Sequence, residues 1–156
     1  MDLFFSAIEE NDIKKIKAMV HGGVDINVKD EYGYSALHIT SYRNLVELAI
    51  LLINMNIDLN IKDKNGQTAL HYFALNNQLE LAKFALEKGA YISSEDIYGN
   101  QPLWTAVFND KGRDDRIEII KMYINYGADK RHKNKSGKSP EDIASIAGYK
   151  NISKLF

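Results

Sequence analysis

The chain has 156 residues, 45% hydrophobic and 26% charged, which is one domain's worth of an ordinary globular composition. Its 20 Lys and Arg nearly cancel its 21 Asp and Glu, so no global field draws it to nucleic acid or to an anionic membrane. The absence of cysteine removes disulfides, thiolate metal sites and cysteine nucleophiles together.

At the N-terminus, "MDLFFSAIEENDIKK" carries an Asp where a secretory signal has basic residues, and Glu9 and Glu10 break its apolar stretch. The longest apolar run, "LAILLI" at 48–53, is far short of the roughly 20 residues that span a bilayer. A cytoplasmic chain with no membrane association is therefore expected. Residues 1–29 predict an opening pair of helices, with Glu9, Glu10, Lys14, Lys15 and Lys17 giving a wet outer face.

A repeat begins at Asp30. "GYSALHIT" starts at Gly33, "GQTALHYF" at Gly66 and "GNQPLWTA" at Gly99, a period of 33 residues, and a worn "GKSPEDIA" follows at Gly137 after a five-residue insertion. Each unit opens with an Asp-x-x-Gly turn: "DEYG" at Asp30, "DKNG" at Asp63, "DIYG" at Asp96 and "NKSG" at Asn134. Ser35, Thr68 and Ser139 suit a helix N-cap, Gln101 is a weaker substitute, and Pro102 and Pro140 fall in the first helical turn.

Two apolar-periodic stretches follow in each unit, such as "ALHYFALN" and "LELAKFALEKG". Each is too short to be stable alone and must bury its apolar side against the next pair. The second stretch ends at Gly23, Asn56, Gly89 or Gly127, a column suited to a left-handed C-cap.

On these residues the chain resembles the ankyrin repeat family. "SALH", "TALH", "QPLW" and "SPED" stand in the Thr-Pro-Leu-His slot, and "GVDIN", "NIDLN", "GAYIS" and "GADKR" close the units. The resemblance implies an all-α solenoid of stacked helix-turn-helix units with projecting β-turn or hairpin loops. It divides a single domain into an N-terminal cap (1–29), full repeats at 30–62, 63–95 and 96–133, and a C-terminal cap (134–156). The third full repeat carries the insertion "DKGRD" at 110–114, and Trp104 replaces its His.

Signatures of chemistry are weak. His38 and His71 share one column and are expected to tie one turn to the next rather than to bind metal. "GKS" at Gly137 lacks the partner glycine of a phosphate loop, since position 132 is His132. "DKNG" has Ile61 and Tyr72 where a calcium loop needs carboxylates, and the sequons at Asn134 and Asn151 have no secretory context. No catalytic residue, metal site or cofactor is expected.

Function is then expected in columns that the scaffold leaves free. In an ankyrin stack these are the loop tips and the exposed face of the inner helices, lining the concave side. They comprise Glu31, Tyr32, Tyr34, Tyr42 and Arg43; Lys64, Asn65, Gln67, Leu75 and Asn76; Ile97, Tyr98, Asn100, Phe108, Asn109 and Arg113; and Lys135 and Lys138. Tyr, Phe and Arg dominate binding energy at protein interfaces, so this set points to one protein partner.

The chain further resembles small bacterial ankyrin proteins, some of which act as immunity proteins to antibacterial toxins. That likeness implies a monomer that covers a cognate toxin domain stoichiometrically. A general adaptor or a host-directed effector is the alternative. Two other classes remain: nucleic-acid binding by Lys130, Arg131, His132, Lys133, Lys135 and Lys138, and an unfamiliar enzyme site among Asp110, Arg113, Asp114 and Asp115.

Overall fold

The computed structural model describes residues 3–156; Met1 and Asp2 of the expected N-terminal cap lie outside the described residues. The described chain forms five helix pairs: α1 (Leu3–Glu9) with α2 (Ile13–His21), α3 (Ala36–Tyr42) with α4 (Val46–Asn54), α5 (Ala69–Leu75) with α6 (Leu79–Glu87), α7 (Pro102–Asp110) with α8 (Ile117–Asn125), and α9 (Pro140–Ile146) with α10 (Lys150–Ser153). None exceeds nine residues, so each depends on packing rather than on its own propensity.

The stacking produces two layers. The odd-numbered helices pack α1 on α3, α3 on α5, α5 on α7 and α7 on α9, while α4, α6 and α8 pack behind them. The core repeats with the sequence. Leu37, Leu70 and Leu103 occupy one buried column, and Leu48, Leu81 and Ile119 another. Burying each such side chain stabilises the fold by about 1.5–3 kcal/mol. The expected all-α solenoid is the observed one.

The Asp-x-x-Gly turns are built identically four times. Asp30 Oδ1 accepts from the amides of Tyr32 (2.9 Å) and Tyr34 (2.8 Å), and Asp63 and Asp96 do the same two and four residues ahead. The worn "NKSG" copy keeps the pattern, because the Asn134 side-chain carbonyl accepts from Ser136 and Lys138 as a carboxylate would. Gly66 has φ +74°, and a Cβ there would come within 3.0 Å of the Ile97 amide nitrogen of the next turn. Neighbouring tips are joined by single bonds, Ile97 N–H to Asn65 O and Lys135 N–H to Tyr98 O, both 2.9 Å. No strand forms among the described residues, so the projections are turns rather than hairpin ladders.

Two left-handed columns punctuate the helices. Asn56 (φ +61°) shares the expected C-cap column with Gly23, Gly89 and Gly127. A second column places Asn11, Asn44 and Asn77 at φ 54–55° between the two helices of a pair. Asn tolerates this region better than other side chains.

In the fourth helix pair α7 runs on through Asp110, and the left-handed residue is Lys111, within the insertion. The buried Asp110 organises it, accepting from the amides of Asp114 (3.1 Å) and Arg116 (3.0 Å). Arg116 donates to the Leu75 carbonyl, Asn77 to the Asp115 carbonyl, and Asn151 to Asp114 Oδ2. The loop thereby clamps three successive helix pairs together.

Candidate protein-binding face

Two histidines set the backbone from which the face is built. Ser35 N–H donates to His38 Nδ1 (3.0 Å), so that nitrogen is unprotonated, and the proton on Nε2 is donated to the Gln67 carbonyl (2.9 Å). His71 repeats the arrangement with Thr68 and the Asn100 carbonyl, 3.1 and 3.0 Å away. Each imidazole closes a capping box on its own helix and bolts it to the next turn. Burial holds both rings below the ordinary histidine value, opposed in part by the bonds to those carbonyls.

The third copy departs from this plan. Trp104 stacks on Phe108 at 4.7 Å and 15°, and α7 has no capping box. Gln101 Oε1 and Trp104 Nε1 are buried without a hydrogen bond. The fourth copy restores the box with a carboxylate: Ser139 N–H donates to Asp142 Oδ2 and Asp142 N–H to Ser139 Oγ. Those bonds to Ser139 hold the Asp142 carboxyl below its ordinary value.

Between α3 and α5 lies an apolar groove of about 300 Å³, lined by Tyr34, His38, Ile39, Tyr42, Tyr72 and Leu75. Tyr72 forms its floor, edge-on to His38 (5.0 Å) and to Tyr34 (6.3 Å), with its hydroxyl donating to Asp63 Oδ2 at 2.9 Å. Burial, together with the bond to Asp63, pushes this phenol far above its ordinary value, so it stays a neutral donor.

The groove opens onto a longer feature. Tyr42, Leu75, Phe108 and Ile146 stand at equivalent positions in the last turns of four successive inner helices, and they are 80%, 40%, 47% and 68% exposed. Four large apolar side chains in one solvent-facing column are costly for a bare surface and typical of a contact surface. Tyr32 and Tyr98 stand on the tips, each more than 60% exposed.

Most residues expected at the site lie on this face. Tyr42, Arg43, Leu75, Asn76, Phe108 and Asn109 cluster at the ends of α3, α5 and α7. Glu31, Tyr32, Lys64, Asn65, Ile97, Tyr98 and Lys135 form the tips, with half-buried Tyr34 and Gln67 and exposed Lys138 at the turn bases. Arg113 is on the insertion, bonded to Asp115 (3.0 Å) and the Asn109 carbonyl (3.1 Å).

Asn100 is a correction. It is buried, donates to Asp96 Oδ2 and accepts from Asn134 Nδ2, and so belongs to the scaffold. Tyr72, Ile39, Trp104 and Ile146 were not among the expected site residues. The signal for Ile146 was present, since it follows Phe108 in the same column once the five inserted residues are allowed for. Tyr72 had no such signal, because its ring packs on Tyr34 and His38 of the preceding unit.

The other clusters are engaged in part, with Lys133, Lys135 and Lys138 left without a side-chain bond to any described residue. Lys130 Nζ donates to the Phe156 carbonyl, Arg131 pairs with Glu141 at 3.3 Å, and His132 lies 3.2 Å from Glu95. Asp115 sits between Arg113 and Arg116. Among the described residues no group of three or more His, Asp or Glu gathers as a metal site, and no helix is long and apolar enough to cross a membrane.

A family model described as ankyrin repeats, in three copies, matches residues 3–96 and 42–134. Comparison with curated proteins gives no match.

Proposed function

The chain belongs to the ankyrin repeat family, whose members are generally non-enzymatic protein-interaction modules, and on that premise we propose that it works by occupancy of its inner face. The observation that carries this reading is the exposed column Tyr42, Leu75, Phe108 and Ile146 flanked by Tyr32 and Tyr98. A partner burying about 1,600 Å² in total would cover that column and the tips beside it.

The sharper form is a stoichiometric inhibitor. A monomeric cytoplasmic chain covers the active site or substrate entrance of one cognate bacterial toxin domain and so acts as its immunity protein. This form rests on the resemblance to small bacterial immunity proteins. A preformed face on a folded scaffold suits it, since such a face loses little entropy on binding.

The test is affinity capture from the native organism at moderate salt, with bound proteins identified by mass spectrometry. The expected result is one near-stoichiometric toxin-like domain whose activity the chain abolishes at a one-to-one ratio. Several substoichiometric cellular proteins would replace the inhibitor with an adaptor or effector. Nuclease-sensitive capture would replace it with nucleic-acid binding.

A further inference from the structure

The partner segment's own conformation can be argued from the spacing and chemistry of the apolar column. Tyr42, Leu75, Phe108 and Ile146 sit one per inner helix, and adjacent packed helices lie about 8–10 Å apart. An occupant that meets all four must present apolar side chains on one side at about that interval. An α-helix does so, because seven residues advance about 10.5 Å and return to nearly the same face. A β-strand does not. Its same-side neighbours fall about 6.7 Å or 13.4 Å apart, and the residue near 10 Å points the other way.

Hydrogen-bond accounting makes a second, independent argument. A polyproline helix matches the interval, at about 9.3 Å per turn, but like a strand it has backbone groups that need partners when desolvated. Several side-chain donors on this face are already committed, although the exposed Tyr42 hydroxyl and Lys135 ammonium are not. Tyr72 Oη donates to Asp63, His38 Nε2 to Gln67, Asn76 Nδ2 to Ser41 and Asn109 Nδ2 to Thr105. The tip amides of Ile97 and Lys135 are bonded to neighbouring tips. The main chain of this face is helical and has no strand edge among the described residues, so it gives an extended backbone no ladder to pair with and suits an occupant that satisfies its own.

Charge gives the third constraint. The whole chain carries a formal charge of −1, yet the inner-helix ends and tips beside the column carry Arg43, Lys64, Lys135 and Lys138 against Glu9, Glu10 and Glu31. Glu9 is already paired with Arg43 at 3.3 Å, and Lys64 donates to the Glu31 backbone carbonyl rather than to its carboxylate. With the Arg43–Glu9 pair cancelling, Lys64, Lys135 and Lys138 outnumber Glu10 and Glu31, so the border is net basic on a slightly acidic molecule and complements an acidic partner.

We propose that the inner face binds an acidic amphipathic α-helix of its partner, laid across the odd-numbered helices with apolar side chains at heptad spacing over the Tyr42–Leu75–Phe108–Ile146 column. This rests on the inner face being the binding face. The helix spans about three to four heptads, because four contacts at that interval extend about 30 Å. Its leading apolar side chain enters the groove floored by Tyr72.

Trp104 makes the test direct, because it is the only tryptophan in the chain and stacks on Phe108 of the column. Four synthetic tryptophan-free peptides of 24 residues would be titrated into the full chain while Trp104 emission is followed. The first has Leu at heptad a and d positions with Glu flanks, the second replaces Glu by Lys, the third scrambles the first, and the fourth interrupts it with two prolines. The expected result is saturable binding of the acidic helix, at least about tenfold tighter than each of the other three, with peptide helicity rising on binding. Tyr42→Ser with Leu75→Ser, which leaves the Trp104–Phe108 reporter in place, should weaken it at least about tenfold.

Equal or tighter binding of the basic, scrambled or proline-interrupted peptide would overturn the proposal, as would no saturable change for the acidic helix. Partner capture separates the two levels of the account. If the captured partner is lost on Tyr42→Ser with Leu75→Ser while the acidic peptide fails, the face stands and the helix falls. If capture is insensitive to those substitutions, the face itself is wrong.

Discussion

The repeats opening at Asp63 and Asp96 share a backbone plan and use one column in opposite ways. In the first, His71 caps α5 and reaches the Asn100 carbonyl, so every polar atom of the slot is engaged. In the second, Trp104 turns its ring onto Phe108, and it and Gln101 leave a buried donor and a buried acceptor without a hydrogen bond. The loss is offset elsewhere. His132 lies 3.1 Å from the Gly99 carbonyl, Asn134 donates to Asn100, and the insertion anchors α7 and α8 to Leu75 and Asn77. A slot that elsewhere ties repeats together is here given over to aromatic surface, and the local stability is made up by contacts the template does not contain.

The largest effect should come from removing a tie where it exists. His71→Ala deletes the capping box and strands a buried carbonyl, and urea unfolding should show a loss of about 3 kcal/mol. A loss below about 1 kcal/mol would erase the contrast between the two repeats. Going the other way, Gln101→Thr with Trp104→His should restore the box and raise stability by about 1–2 kcal/mol. The same double change removes the Trp104–Phe108 stack, so partner binding should weaken as stability rises.

Acid should separate the repeats too. The folded-state values of His38 and His71 lie below the unfolded value of about 6.5, so the unfolded chain binds more protons as pH falls through that value. Their stabilising contribution is complete above about pH 6.5 and declines below it, by at most about 1.4 kcal/mol per pH unit for each ring. His71→Ala should remove one ring's share of that slope between pH 6.5 and 5, measured by unfolding at fixed pH. The smallest expected change is structural silence at the exposed column: Tyr42→Ser with Leu75→Ser should alter stability by less than about 0.5 kcal/mol per site.

The scaffold was legible because a repeated physical task leaves repeated letters. Asp30, Asp63 and Asp96 each bind the amides two and four residues on, and even Asn134 could be read as doing so from its place before Gly137. His38 and His71 were likewise legible as structural ties. The candidate face was readable only in part. Tyr42, Leu75 and Phe108 could be found by column, but the insertion displaced Ile146 from obvious register.

Residues whose role crosses repeats were the least visible. Tyr72 floors a groove between α3 and α5 through contacts to Tyr34, His38 and Asp63, and no local pattern marks it. Asn100 looked free because its column holds Tyr34 and Gln67 in the other units. Its burial follows from Asp96 and Asn134, which close around it. The charged insertion looked like a functional loop, yet Asp110 and Arg116 are engaged in folding it onto its neighbours.

The central claim is that copied columns build the scaffold and the exposed inner-face column chooses the partner. Its most direct test is quantitative capture of the native partner by the wild-type chain and by Tyr42→Ser with Phe108→Ser, both verified as equally folded by circular dichroism. The account predicts loss of at least about nine-tenths of the captured partner, as expected when two interface aromatics are removed. Undiminished capture by the variant would contradict it and move the binding surface elsewhere on the solenoid.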